Sequence, residues 1–400
     1  MRATHHISHS EPLESATISL FVMAILVCSL AIQALTNNQQ SILFLIGTGL
    51  GVCLLHAMFG FSGAWRNYIR NRNSEGIRAQ IVLILLTSLF FFPVLGGVFD
   101  EIKSFGSVSP IGYSVLIGAF LFGIGMQLGG GCGSGTLFTM GQGQMDMLVT
   151  LLFFIVGATI GSSHLNWWHD LGDLGSISLI KEYGWITALI ITAMLLAIVY
   201  SLTAFFDKKR NSTLAPLFSH RGQNQFSTTF IHGNWPLWWA VIGLALLNLL
   251  TLLTAGHPWS ITFAFSLWGT KVWSAIGGDI SNWAYWQLPY PQQALNSSVL
   301  LDNTSVMNFG LILGAGLAAA LAGRFAPKSN LTAAKWLAVI TGGLLLGYGA
   351  RLAFGCNIGG MLAGIASGSM HGWLWLVAAF VGNIAGTRMR VSIGLDKPIQ

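Results

Sequence analysis

Two stretches of the chain repeat one pattern: Gly118–Leu137 reads GAFLFGIGMQLGGGCGSGTL, and Gly342–Met361 reads GGLLLGYGARLAFGCNIGGM. At a constant offset of 224 residues, eight of the twenty positions are identical, and they include Cys132 and Cys356. A shared cysteine inside an ungapped block is stronger evidence for a repeat than glycines, which recur in apolar helices by composition alone. The sequence therefore predicts two related halves. Their predicted bounds are residues 1–206 for the first half, 207–236 for a basic linker and 237–400 for the second half.

The composition around this repeat is typical of a membrane protein. Of the 400 residues, 53% are hydrophobic and 8% are charged, whereas an ordinary soluble domain carries about 25% charged residues. So few charges cannot cover a water-facing surface, which excludes a soluble enzyme of several domains, and the high apolar content excludes a disordered chain. The net charge of +6 comes from short clusters between apolar stretches. We therefore expect contact with membrane lipid and no nucleic-acid partner.

Long apolar stretches predict an all-α fold, a polytopic transmembrane helical protein. A bilayer core of roughly 30 Å needs about 20 apolar residues per helix. A transmembrane β-barrel would instead show segments of about 10 residues that alternate in polarity. Eleven stretches fit the helical pattern: Thr17–Leu35, Ser41–Phe61, Ile81–Phe99, Ile111–Leu128, Leu148–Ser163, Trp185–Phe206, Leu237–Thr254, Pro258–Gly277, Val306–Ala322, Ala334–Leu352 and Trp373–Ala385.

Lys and Arg in the loops predict the orientation, because basic loops stay in the cytoplasm. The helix that leads to Cys132 starts from an acidic loop, whereas the helix that leads to Cys356 starts from a basic one. The same motif is thus entered from opposite sides, which indicates inverted-topology repeats with a substrate site near the midplane. The loops predicted to be cytoplasmic are 64–79, 207–236 and 323–335, and those predicted to lie outside are 100–110, 164–184 and 278–305.

Each repeated cysteine lies in a glycine cluster that ends a helix. Glycine destabilises a helix interior by about 1 kcal/mol relative to alanine, so we expect both helices to break there and short or re-entrant helices to follow. The freed N–H groups, with the positive end of the next helix, can hold an anion, while a thiol suits a sulfur atom. The predicted substrate-binding and permeation residues are Cys132, Cys356, Gly130, Gly131, Gly133, Ser134, Gly355, Asn357 and Arg351.

Some of these residues have a second interpretation. Arg351 either lines an outer vestibule and attracts anions or is an arginine that reaches the membrane interface. Cys28 and Cys53 lie in plain apolar stretches and are interpreted as small buried hydrophobic residues. The chain has no C-x-x-C, G-x-x-x-x-G-K-[ST] or H-E-x-x-H motif, so we predict no metal site, no cofactor and no catalytic residue.

The two cysteine motifs also resemble a known family. Phe122–Cys132, Gly347–Asn357 and Gly368–Trp373 are similar to motifs of the YeeE/YedE sulphur-transport family, and the resemblance covers both halves. It implies a bacterial inner-membrane importer of thiosulfate or a related sulfur species, in which Cys132 and Cys356 contact the passing substrate. Family members often carry a third cysteine, and the matching position here is Gly60.

The functional hypothesis is a permease or channel for a small sulfur-containing anion, and not an enzyme. One alternative is an intramembrane sulfurtransferase that handles persulfide sulfur, and another is transport of selenium compounds. A third is a membrane subunit that recruits a cytoplasmic sulfur-carrier protein. A weaker internal echo, Phe59–Trp65 against Phe263–Gly269, extends the repeat beyond the cysteine motifs.

Overall fold

The computed structural model of the chain describes residues 11–99, 101–214, 216, 230–327 and 332–397. Nearly half of the predicted linker, residues 215 and 217–229, lies outside the described residues, as do residue 100 of one acidic loop and 328–331 of one basic loop.

The described part of the chain is almost entirely helical, as the long apolar stretches predict. In the first half the elements are α1 (Glu11–Leu35), α2 (Asn38–His56), α3 (Phe61–Asn71), α4 (Glu75–Leu95), β1 (Pro110–Gly112), α5 (Tyr113–Leu128), α6 (Gly133–Gly141), α7 (Met145–Asp170), β2 (Asp173–Ser176), α8 (Leu179–Tyr183) and α9 (Trp185–Asn211). The two strands pair antiparallel, with Pro110 opposite Ser176.

All the described secondary-structure elements of the second half are helical. Its elements are α10 (Leu237–Ala255), α11 (Thr262–Ala275), a 3₁₀ turn (Ala284–Gln287), α12 (Pro289–Asn296), a second 3₁₀ turn (Val299–Leu301), α13 (Asn303–Leu321), α14 (Ala333–Leu352), a π-helical segment (Asn357–Leu362), α15 (Ala363–Ala366) and α16 (Met370–Ser392).

The structure confirms a multi-pass membrane protein and corrects some predicted spans. Nine helical segments among the described residues are long and apolar enough to cross a membrane. The predicted span Pro258–Gly277 is wrong, because α11 has only 14 residues and begins after a turn. Gly256 ends α10 with a φ of +75°, and Pro258 lacks the N–H that a continuing helix needs. Likewise the helix in Ser41–Phe61 ends at His56, and a new helix begins at Phe61.

Close glycine contacts set how the two halves pack. Helices α5 and α14 are antiparallel neighbours, since Gly118 lies against Leu352 while Gly125 lies against Leu346. A Cβ atom on Gly118 would be 2.7 Å from the Cβ of Leu352, so only glycine permits this approach. The two helices that lead to the repeated cysteines therefore run in opposite directions side by side.

The other helix contacts follow the repeat. By sequence, α5 matches α14 and α7 matches α16. In the structure α5 packs on α16, and α7 packs on α14. Replacing each helix by its match in the repeat converts the first of these contacts into the second. Helix α2 packs on α13, and α4 packs on α10. Most of the core is thus formed between the two halves.

The loops gather at two ends of the molecule. At the basic end, Arg70 Nη2 donates to the backbone oxygen of Lys397 (2.8 Å), and Asn211 Nδ2 donates to Asn71 O (3.2 Å). At the acidic end, Pro110 of the loop 100–110 pairs with Ser176 of the loop 164–184, through strands β1 and β2. Loops of one predicted side therefore contact one another, although they are far apart in sequence.

Candidate functional site

The two repeated cysteines lie close to each other inside the molecule. Cys132 occupies the N-cap position of α6, and Cys356 occupies the same position before the π-helical segment. Both thiols are free and buried, at 1% and 0% exposure. A Cβ atom on Gly133 would lie 3.1 Å from Cys356 Sγ. The first residue after one cysteine therefore touches the thiol of the other.

The turn at Cys132 is built from glycine and held by hydroxyl groups. Gly130 has a φ of +82°, a conformation that a side chain would strain, so the turn requires glycine there. Thr150 of α7 donates to the carbonyl of Gly129 (3.1 Å), which holds the start of the turn. Gly135 N lies 3.4 Å from Cys132 Sγ, and Ser134 Oγ lies at the same distance from that sulfur. Two polar groups thus already face the thiol.

The turn at Cys356 has a matching construction. Gly355 has a φ of +147°, and its carbonyl accepts a hydrogen bond from Trp375 Nε1 of α16 (3.1 Å). The backbone amides of Ile358 and Gly359 are directed at Cys356 Sγ. Because α7 and α16 match in the repeat, Thr150 and Trp375 hold the two turns from equivalent helices.

Asn357 carries an unsatisfied amide next to Cys356. Its side chain is fully buried, and neither its Oδ1 nor its Nδ2 has a hydrogen-bond partner in the described part of the chain. Leaving a buried polar atom unpaired costs about 1–3 kcal/mol. A native protein accepts such a cost where a ligand completes the bonds. Asn357 is therefore a strong candidate for direct contact with a polar ligand.

Two further helices begin beside the cysteines. The backbone amide of Phe61, the first residue of α3, is directed at Cys132 Sγ. Ile261, which precedes α11, lies against Gly133, since its Cγ2 would be 3.4 Å from a Cβ there. Sequence reasoning did not place these two turns at the site. The echo between Phe59–Trp65 and Phe263–Gly269 was the signal that could have located them.

Four helix N-termini therefore surround the two thiols. The helices are α3, α6, α11 and the helical run 357–366. Each N-terminus exposes unpaired N–H groups and carries the positive end of a helix dipole. Together they form an environment that favours an anion without a formal cation, and the thiols add polarizable sulfur.

Two cavities lie next to this site, one on the side of the acidic end and one on the side of the basic end. At the acidic end a cavity of about 490 Å³ reaches Ser260 and Gly359, the latter within the segment that follows Cys356. At the basic end a cavity of about 210 Å³ reaches Gly60, the residue before α3. The cysteines lie between the two cavities, so the buried site separates two openings.

Arg351 lies away from this pair of cavities. Its guanidinium carbon is 3.4 Å from the centre of the Tyr285 ring, a cation–π contact. It is not among the residues that line either cavity. In the first half the matching residue is Gln127, whose Oε1 accepts a hydrogen bond from Arg66 Nε (2.7 Å). The structure thus brings together the glycines, Ser134, Asn357 and both cysteines, and it places Arg351 apart from them.

The larger cavity carries one histidine with a shifted pKa. His257 lines this cavity, packs against Phe105 with the ring centres 5.9 Å apart and the planes tilted by 37°, and contacts Asn303 Nδ2 through Nε2 (3.3 Å). Burial lowers the pKa of His257 below its ordinary value of 6.5, partly offset by the backbone oxygen of Pro258 and by Asp302. His257 is therefore neutral at pH 7 and places no charge in the cavity.

Comparison with known proteins places this geometry in a functional context. A family model described as sulphur transport matches residues 56–385, which include all four turns of the site. The chain is 27% identical over 361 residues to the thiosulfate transporter TsuA of Spirochaeta thermophila, covering 85% of this chain and 95% of the relative. It is 24% identical over 342 residues to TsuA of Escherichia coli, covering 84% and 90%. It is 28% identical over 164 residues to the probable transporter YedE of Escherichia coli, covering 41% and 40%.

Proposed function

The chain belongs to the sulphur transport family, and on that premise we propose that it imports a small sulfur-containing anion, such as thiosulfate, past Cys132 and Cys356. Transport of a sulfur compound across a membrane follows from the family and from the nine apolar helical segments in the described residues. The name thiosulfate transporter, carried by two relatives that match over most of their length, supports the choice of anion.

The convergence of four helix N-termini on two buried thiols carries the proposal. An anion that enters from the cavity at the acidic end meets the amides of Ile358 and Gly359 and the unpaired amide of Asn357. These groups replace the water that the anion loses, because backbone N–H groups at helix N-termini bind anions. The anion then passes to the amides around Cys132 and leaves through the cavity at the basic end.

The thiols act without a covalent step. Cys132 and Cys356 are buried in protein, where an isolated negative charge is costly. A neutral S–H group can donate a hydrogen bond to the anion and contact its sulfur as it passes. No bond is made or broken, so no oxidant or reductant is needed.

The topology that suits this path is an inverted repeat in a bacterial inner membrane. The antiparallel arrangement of α5 and α14 supports it, as does the gathering of basic loops at one end. The halves 1–206 and 237–400 would then each supply two of the four turns, and the basic end would face the cytoplasm. A cytoplasmic sulfur carrier would receive the anion there.

Growth on thiosulfate as sole sulfur source tests the proposal, in cells that lack other uptake routes. Cys132→Ala and Cys356→Ala should each abolish growth while the amount of protein in the membrane is unchanged. Cys28→Ala is the matched control, because Cys28 lies on α1, away from the four turns, and this variant should grow normally. Normal growth of both central variants would show that the thiols have no part in transport.

A serine substitution separates hydrogen bonding from sulfur transfer. Cys132→Ser and Cys356→Ser keep a donor but cannot form a persulfide, so partial growth is expected if the thiols only donate. An intramembrane sulfurtransferase would instead show one indispensable cysteine and a persulfide on it after exposure to thiosulfate. Uptake of labelled thiosulfate and of selenite into proteoliposomes distinguishes sulfur from selenium transport.

A further inference from the structure

A line of buried hydrogen bonds joins α4 to the start of α3. Trp65 Nε1 donates to Gln80 Oε1 (2.7 Å), and Gln80 Nε2 donates to Gly60 O (3.4 Å). Trp65 and Gln80 are buried, at 2% and 3% exposure. An indole N–H can only donate, so the carbonyl of Gln80 must face Trp65 and its NH₂ group must face Gly60. The direction of the line is therefore determined.

The line ends at a peptide group of the central site. The carbonyl of Gly60 and the N–H of Phe61 belong to one planar peptide group, so the direction of one determines the direction of the other. Phe61 N–H is directed at Cys132 Sγ. Gly60 O also accepts a hydrogen bond from the backbone N–H of Ala64 (3.3 Å), which makes it the first acceptor of α3. Gln80 thus ties the first peptide group of α3 to a long helix.

This hydrogen bond matters because the residue types of the preceding turn do not by themselves determine its backbone geometry. Residues 57–60 join α2 to α3, and Met58 adopts a φ of +50°, which a non-glycine residue rarely does. The turn therefore needs support from outside to keep one geometry. A hydrogen bond to the carbonyl also polarises the peptide group, which strengthens its N–H as a donor.

We propose that Gln80 is a positioning residue for anion binding, which aims the Phe61 N–H at the substrate beside Cys132. This inference rests on the proposed function and adds a residue outside the cysteine motifs to it. Gln80 lines the cavity at the basic end, and its assigned role is exerted through the Gly60–Phe61 peptide group rather than by contact with the anion at Cys132. Its neutral amide orients a donor without bringing a charge to the permeation path.

The second half has an equivalent residue. Asn308 of α13 is fully buried, and its Nδ2 donates to the carbonyl of Ile261 (3.0 Å), the residue before α11. Ile261 lies against Gly133, and Gly133 lies against Cys356 Sγ. Each cysteine-free turn is therefore held by an amide side chain from the next membrane-spanning helix of its half. We assign Asn308 the same role toward the peptide group between Ile261 and Thr262.

Infrared spectroscopy tests the inference without any transport. The full chain is prepared with Cys28, Cys53 and Cys356 replaced by alanine, so that the S–H stretching band reports Cys132 alone. Gln80→Met and Gln80→Glu should both shift this band, since neither side chain can donate to Gly60 O. Thr87→Val is the matched control on α4, because Thr87 is buried and bonds only within its helix, to Leu83 O (2.8 Å). An unshifted band in both Gln80 variants overturns the inference.

Uptake kinetics separate positioning from a structural role. With all four native cysteines present, Gln80→Met should raise the KM for labelled thiosulfate about tenfold, near the lower value of one hydrogen bond to a charged group. Vmax per folded protein should stay within a factor of about two, because one donor to the bound anion is lost and the thiols remain. Gln80→Glu keeps an acceptor for Trp65, so it should fold. Its KM should rise at least as much, because a carboxylate in the basic-end cavity also repels the anion.

The infrared and uptake measurements distinguish failure of the Gln80 inference from failure of the proposed function. A lowered Vmax with an unchanged KM in both Gln80 variants overturns the positioning role and shows that Gln80 only supports the fold. If the unsubstituted protein takes up no thiosulfate in this assay, the proposed function fails, and the infrared result alone decides whether Gln80 orients the Phe61 peptide group.

Discussion

Gly133 lies directly against Cys356, with its Cβ position 3.1 Å from the sulfur and 3.4 Å from the Cβ of the cysteine. Gly133 is the first residue of α6 in the first half, and Cys356 belongs to the second half. The centre of the proposed path is therefore a contact between the halves, and neither half contains it alone.

We expect Gly133→Ala to obstruct this contact. The added methyl group would press on Cys356 Sγ in a closely packed site, and overpacking of that kind costs about 1–3 kcal/mol, so uptake should fall at least about fivefold. Uptake of labelled thiosulfate into proteoliposomes is the measurement. Gly49→Ala on α2 is the control, because its Cβ position is similarly crowded, 3.2 Å from Leu247 Cδ1, but Gly49 lines neither cavity of the path. Equal uptake by both variants would contradict a path past Gly133.

We expect the KM for the anion to fall as the pH drops below the ordinary value of 6.5 for histidine. His257 has a lowered pKa, so it is neutral at pH 7 and gains its charge only in more acidic solution. The positive charge then lies in the cavity that the anion enters. Uptake measured between pH 8 and pH 5 should show this fall. His257→Gln should abolish it and leave the KM at pH 7.5 unchanged; a fall that persists in this variant has another origin.

We expect Lys335→Met to destabilise the protein. Lys335 forms a salt bridge with Asp146, and it joins the first turn of α14 to the first turn of α7. Asp146 is buried at 4% exposure, so loss of Lys335 leaves its carboxylate unpaired. Since Lys335 is itself partly exposed, the cost should be about 1–2 kcal/mol.

The melting temperature in detergent measures that cost. The double variant Asp146→Asn with Lys335→Met removes both charges, so it should recover most of the lost stability. A double variant that melts no higher than Lys335→Met would show that the ion pair does not stabilise the fold.

We expect the C-terminal segment to stay attached throughout the neutral and mildly acidic range. Hydrogen bonds from Arg390 to Asp396 (2.9 and 3.0 Å) hold the pKa of this carboxyl below its ordinary value of 3.8, and Arg70 lies 3.5 Å away. A lowered pKa means that the contact is present above the ordinary value and is lost as the pH falls through the lowered one.

Digestion with carboxypeptidase measures this attachment. The native chain should be equally protected near Asp396 at pH 7 and pH 5, whereas Asp396→Asn should be cleaved faster at both. Arg390 also donates to the backbone oxygen of Gln127 (2.7 Å), so the segment is expected to remain folded up to α16. Faster cleavage of the native chain at pH 5 would contradict the assigned pKa direction.

Local patterns accounted for the class of fold and located the cysteines of the candidate site. Apolar stretches of about 20 residues require helices in a bilayer, because no water satisfies an open backbone there. The glycine clusters at Cys132 and Cys356 break the helices that lead to them, and the cysteine shared by both clusters indicated the repeat. These features are encoded in neighbouring residues, so they can be read without knowing how the helices pack.

The same patterns could not locate every break. The stretch Pro258–Gly277 has the composition of a span, yet its chain turns before Thr262. A turn of this kind is stable at membrane depth only when other helices satisfy its backbone, as Asn248 Oδ1 does for Trp259 N (2.9 Å) and Asn308 Nδ2 does for Ile261 O. That information lies in residues outside the stretch.

The sequence by itself determined a helical membrane protein with two cysteines in glycine clusters, and it predicted two related halves, because hydropathy and glycine content act locally. The tertiary structure alone decided that Gly133 touches Cys356, that four helix N-termini meet there, that Arg351 lies on Tyr285, and that Gln80 holds the Gly60 peptide group. These contacts join residues far apart in the chain, and they form only when the close glycine packing of α5 and α14 brings the halves together.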